Sequence, residues 1–179
     1  LDEPQRWVAW SAYPEYGLAD HSNDSYVVLQ EGQIYGVSPA ALREDLAKLA
    51  PMLFDPRGVY RAAIVDWLSR TDGEFLLIVI DKATGDIAIL NDLLGKLPFY
   101  HSCRGGRFVA SREVNFVTRM APDRSCDRTA LIQFLTLRYC LDDRTFYQSI
   151  KRLTPASILT IRDSGSSTTG DKLHEYNLS

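Results

Sequence analysis

A layered α+β sandwich of antiparallel strands is the fold class that three features of the sequence predict. The run Phe75-Leu-Leu-Ile-Val-Ile80 is apolar at every position, so a strand there is buried on both faces. It is short, partly β-branched and bounded by Gly73 and Asp81, which disfavours a helix. The turn-forming stretch Asp81-Lys-Ala-Thr-Gly-Asp86 follows, then a second apolar run to Leu90. That is a hairpin, hence an antiparallel pair. A doubly buried antiparallel strand needs a second sheet on one face and helices on the other. Helical patterns stand before and after it in the chain.

The elements follow in order. Residues 7–13 and 25–30 are rich in Trp, Tyr and Val and read as strands. Tyr13-Pro14 and the polar stretch Asp20-His-Ser-Asn-Asp24 break the pattern between them, and residues 33–37 continue a strand after Gly32. Ser38-Pro39 opens a helix: serine is a good N-cap and proline suits the first helical position. Leu42, Leu46 and Leu49 recur at helical spacing, Glu44 and Lys48 form an i,i+4 pair, and Pro51 ends the helix. Asp55-Pro56 repeats the opening signal. The next helix carries its apolar stripe at Val59/Tyr60, Ala63/Ile64 and Trp67/Leu68 and stops at Thr71-Asp72-Gly73.

After the hairpin come a Gly-containing loop over residues 91–98, a short strand at Phe99-Tyr-His, a turn at Cys103-Arg-Gly-Gly106 and a strand over 107–110. Asp127 caps a third helix with Leu131, Phe134/Leu135 and Arg138 on one side. Residues 157–161 form a last strong strand. Residues 163–172 are Ser/Thr/Gly-rich and read as a mobile segment.

Composition removes several function classes. The 179 residues fit one domain, with 45% hydrophobic and 24% charged, enough for a core without staples. The net charge of −3 comes without a basic cluster, which argues against nucleic-acid binding. No apolar run approaches the roughly 20 residues of a membrane span. Cys103, Cys126 and Cys140 are few and scattered, as are His21, His101 and His174. Neither set has metal-ligand spacing, so no metal site is expected. The odd cysteine count points to reduced thiols in a cytoplasmic protein.

Several segments, taken together, resemble one family. Asn91-Asp-Leu-Leu-Gly-Lys-Leu-Pro-Phe-Tyr100 is similar to the R-D-x-x-G-x-x-P-L-Y segment of asparagine synthetases, and Val109-Ala-Ser-Arg-Glu113 to their F-A-S-E. Residues 127–156 resemble their D-x-x-A-L-x-x-F-L followed by T-x-x-x-x-I-x-x-L-x-P-G. Glu31-Gly-Gln-Ile-Tyr35 resembles N-G-E-I-Y, and Glu175-Tyr-Asn-Leu178 the Y-W-D-L that leads from the family's first domain to its second. The likeness runs from about Tyr26 to the end of the chain.

The resemblance implies a single class II glutamine amidotransferase domain over residues 1–179. Its fold would be the four-layer α-β-β-α sandwich of N-terminal-nucleophile hydrolases. In that family an N-terminal cysteine attacks the glutamine amide, a backbone N–H and an Asn amide stabilise the oxyanion, and an Arg and an acidic residue hold the substrate's ends. Ammonia then passes to a downstream ATP-dependent synthetase domain.

This sequence departs from that pattern. Residue 1 is Leu. About six residues precede the first strand, where the family usually has about forty, so an upstream piece is either outside this chain or lost. The three cysteines fall where the family has no nucleophile. Glu31 takes the place of the oxyanion Asn, and a carboxylate there repels developing negative charge. Gly32 keeps the backbone donor. No Arg stands in the strand over 7–13. Asp55 falls near the acidic ammonium-binding position, although its place before Pro56 also suits a helix cap.

No S-G-G-x-D-S-type phosphate loop occurs. No cofactor is therefore expected in this chain; ATP and Mg belong to a downstream domain outside it. The expectation is a degenerate domain with no catalytic residue of its own. Its former glutamine pocket is at Glu31, Gly32 and Asp55, and it acts as a scaffold or oligomerisation module for a downstream synthetase domain, possibly as a homodimer. Two alternatives stand beside it. One is a working glutaminase with its Cys upstream of Leu1. The other is a stand-alone interaction or ligand-binding domain using Trp7, Trp10, Tyr13 and Tyr16.

Overall fold

The computed structural model describes residues 17–55, 57–104, 107–121, 123–162 and 173–177. The strand expected over 7–13, its aromatic residues and the segment 163–172 lie outside them.

Strands β1 (Leu18–Asp20), β2 (Tyr26–Ile34), β3 (Gly73–Asp81), β4 (Ile87–Asn91), β8 (Ser157–Ile161) and β9 (Leu173–Asn177) form one sheet in the order β1-β2-β3-β4-β8-β9. Every neighbouring pair is antiparallel. A second sheet has the order β6-β5-β7, from β5 (Tyr100–Arg104), β6 (Arg107–Ser111) and β7 (Lys151–Arg152). The helices are α1 (Pro39–Met52), α2 (Arg61–Arg70), α3 (Val114–Met120) and α4 (Arg128–Leu137).

The apolar clusters set the layer order. Leu42, Leu46 and Leu49 of α1 and Ile64 and Leu68 of α2 pack on Val28, Phe75, Leu77, Val79, Leu90 and Ile158. The alternate positions Leu76, Ile89, Leu159 and Ile161 face the other way, onto Leu97, Phe99 and Leu153, with Phe108 and Ala110 of β6 beside them. On the far side of the small sheet, Val117 and Ala121 meet Ile150, Tyr100 and Val109. The result is helices, large sheet, small sheet, helix: the α-β-β-α order expected. β3 is apolar throughout because it lies inside the large sheet with an apolar layer on each side. Phe75, Leu76 and Leu77 are each 0% exposed, worth about 2 kcal/mol of transfer free energy apiece.

Local chemistry accounts for the element ends. Ser38 Oγ accepts from Ala41 N–H at the start of α1, and Asp127 Oδ1 accepts from Ala130 N–H at the start of α4. In the β3–β4 turn, Asp81 Oδ1 takes the N–H groups of Ala83 and Thr84. Gly85 adopts φ 73°, the left-handed region that favours glycine.

The structure differs from the sequence expectations at several places. Helix α2 begins at Arg61, because Asp55 caps a turn: its Oδ1 and Oδ2 accept from Arg57 and Val59 N–H at 3.0 and 2.6 Å. Val59 and Tyr60 are exposed instead of lining the helix stripe. Arg138 is not a helical position on the Leu131 side. It is the C-cap of α4, in the left-handed region at φ 68°. Of α4 only Ala130 is buried, while Leu131, Ile132, Leu135 and Leu137 are exposed. Four elements were not expected: β1, α3, β7 and β9, the last falling on the segment that resembles an interdomain connection.

Candidate functional site

β2 crosses Gly32 without losing register: Glu31 pairs with Leu76 and Gly32 with Phe75. Alternation along the strand sends Tyr26, Val28 and Ile34 toward the helices, so Glu31 faces the small sheet, as does its partner Leu76. Gly32 sits at φ +84°. A Cβ there would run into the Glu74 carbonyl oxygen and come within 2.8 Å of Leu97 Cδ1. Gly32 is thus required by both its backbone angle and its surroundings.

A short hydrogen-bond chain fixes the Gly32 peptide from the helix side. Gln30 Nε2 donates to Gly32 O at 3.2 Å, which leaves Gln30 Oε1 as an acceptor for His21 Nε2 at 3.0 Å. The histidine nitrogen facing Gln30 is therefore the protonated one. His21 and Gln30 are both buried.

On the other face, Arg112 Nη1 donates to Glu31 Oε1 at 2.6 Å. Arg112 Nε reaches Pro98 O at 3.3 Å. Arg112 lies just past the end of β6, so one side chain ties the small sheet, the β4–β5 loop and the large sheet together. The pair is partly open to solvent, with the Arg112 and Glu31 side chains 29% and 21% exposed.

Asp55 does not join Glu31 and Gly32. Its neighbour Phe54 stacks on Tyr26 with ring centroids 6.0 Å apart, on the helix side of β2. Tyr26 is five residues from Glu31, about 17 Å along a strand. The backbone N–H of Arg57, with those of Val59 and Tyr60, holds the Asp55 carboxyl below its ordinary range.

Asn91 and Asp92 are buried and committed to structure. Asn91 Nδ2 donates to Thr154 O at 2.8 Å and its Oδ1 accepts from Ser157 N–H at 2.9 Å. Asp92 accepts from Leu94 and Lys96 N–H. These bonds pin the β4–β5 loop to the strand-entry segment before β8.

Chemically, the Glu31 carboxylate can only accept hydrogen bonds. Arg112 neutralises that carboxylate. Arg112 escaped sequence reasoning because it meets Glu31 across 81 residues of chain. The available signal was the extra basic residue in Val109-Ala-Ser-Arg-Glu113. Cys126 and Cys140 are free thiols, and Cys103 and Cys126 are exposed. Among the described residues no group of three or more His, Cys, Asp or Glu could hold a metal ion. No helix among them is long and apolar enough to cross a membrane.

Residues 20–176 match a family model described as a glutamine amidotransferase domain. No curated protein matches the chain. Solved structures similar to it include the glutamine phosphoribosylpyrophosphate amidotransferase of B. subtilis, complexed with ADP and GMP. The identity is 16% and the TM-score 0.45, over 90% of this chain and 31% of that one. The present chain therefore spans about a third of the length of that protein.

Proposed function

Because the chain belongs to the glutamine amidotransferase domain family, we propose that it is a glutaminase-like domain whose own hydrolytic site is degenerate. It serves as a scaffold or oligomerisation module for a downstream, asparagine-synthetase-like domain that forms amide bonds at the expense of ATP. The observation that supports this reading is the Glu31–Arg112 ion pair at 2.6 Å. The resemblance to N-G-E-I-Y assigns an oxyanion-binding amide to position 31. A carboxylate has no hydrogen to donate there, and its charge opposes the one that develops in the tetrahedral intermediate. Loss of one oxyanion donor alone costs about 10²–10³ in kcat in a hydrolase that depends on it.

The test is glutamine hydrolysis by the protein carrying its natural N-terminus, followed as glutamate release. The expected result is no turnover above the uncatalysed background. Turnover at the rate of an ordinary amidotransferase overturns the proposal in favour of a working glutaminase with its cysteine upstream of Leu1. ATP and Mg enter this reading only with the downstream domain.

A further inference from the structure

Glu31 and Arg112 depart together from the pattern that this chain resembles. Where N-G-E-I-Y begins with an amide, this chain has an acid. Where F-A-S-E has no base, this chain has Arg112. The fold brings these two departures together at 2.6 Å. The glutamate side chain differs from that of glutamine only in carrying a carboxylate in place of the terminal amide. The guanidinium is the side chain best suited to binding a carboxylate.

We infer that Glu31 acts as a built-in ligand on Arg112: its carboxylate occupies the guanidinium that would otherwise take the carboxylate of a free amino acid at the Gly32 end of the sandwich. This rests on the reading of the site as degenerate and names what keeps it closed. Three observations carry it. The pair joins the two sheets, with Glu31 on β2 and Arg112 just past the end of β6. Arg112 is held in place independently of Glu31 by its Nε bond to Pro98 O, so it stays aimed when Glu31 is removed. And the pair is neither deeply buried nor fully solvated, so the guanidinium, once freed, remains accessible to a small carboxylate.

The experiment uses the full chain and L-glutamate and L-glutamine as probes, with binding read by calorimetry and by the shift of the unfolding midpoint. Wild type is expected to show no saturable binding at millimolar probe. Glu31→Ala and Glu31→Gln are both expected to gain it, since each removes the internal carboxylate while Glu31→Gln keeps the side-chain shape. Their affinity for glutamate should exceed that of the Glu31→Ala/Arg112→Gln double variant by about tenfold or more, the worth of a charge-assisted hydrogen bond.

If either single variant stays folded by its unfolding midpoint and binds no tighter than wild type, the inference falls. It falls equally if the gain survives removal of Arg112. Neither of those results touches the proposed loss of glutaminase activity. Glutamine hydrolysis by wild type overturns both.

Discussion

Acidification isolates one buried histidine. His101 is 4% exposed, stacked on Phe108 with ring centroids 6.4 Å apart. Burial pushes its pKa down from 6.5 to about 4, with nearby Asp143 opposing that shift and Lys151 adding to it. A histidine whose folded-state value lies below its unfolded value is protonated first in the unfolded chain. Stability is therefore complete above about 6.5 and is lost as pH falls toward 4. At about 1.36 kcal/mol per unit the ceiling is about 3 kcal/mol, and about 2 kcal/mol of it is gone by pH 5.

Other groups work in a different window. Asp55, Asp123 and Asp127 are held below the ordinary 3.8, chiefly by the backbone N–H groups of Arg57, Ser125 and Ala130. Their stabilisation is lost only below that value. The assay is urea unfolding followed by tryptophan fluorescence at pH 7 and pH 5, on wild type and His101→Phe. Phenylalanine keeps the aromatic contact with Phe108 and cannot titrate. Wild type should lose about 2 kcal/mol between the two pH values, and the variant close to none. Equal pH dependence in the two proteins, or a wild type that gains stability on acidification, refutes the reasoning.

Three further outcomes are expected. Gly32→Ala should destabilise by at least about 2 kcal/mol, since alanine at φ +84° is strained and its Cβ meets the Glu74 carbonyl; the midpoint of chemical denaturation measures it. Asp127→Ala should cost about 1–2 kcal/mol, through loss of the α4 cap and of the partner of Arg144 at 2.8 Å. Salt should shrink the second part of that loss and leave the first. Ile132→Lys, on the exposed face of α4, should change stability by less than about 0.5 kcal/mol, whereas Leu77→Ala, fully buried in β3, should cost about 2–5 kcal/mol; parallel thermal melts distinguish them.

What the chain betrays of its fold depends on where the determining contact lies. The 75–80 run, the Asp81–Asp86 turn and the Ser38 and Asp127 caps are decided within a few residues, and they stand where the pattern places them. Asp55 misled because the same side-chain chemistry that caps a helix also closes a turn, and only the geometry of residues 57–60 distinguishes the two. Helix α3 is short, has no side-chain cap at Glu113 and rests on Val117 alone among its buried residues, so little of its signal is periodic. Strand β1 is three residues long and β9 exists through pairing with β8, which is information carried by another part of the chain. At the site, Glu31 and Gly32 are visible through the resembled motif. Arg112 is not, because its role is set by a tertiary contact.

The packing around Gly32 also bears on what its presence signifies. A glycine beside a hydrolytic centre is ordinarily taken as a mark of a working backbone donor. Here the Glu74 carbonyl and Leu97 leave no room for any side chain, so folding alone forbids replacement. Drift that erases the chemistry would leave this residue untouched, and a sequence search keyed to it would report a competent enzyme long after competence had gone. Position 31, free of that steric veto and with its side chain 21% exposed, is the more informative of the two positions to compare.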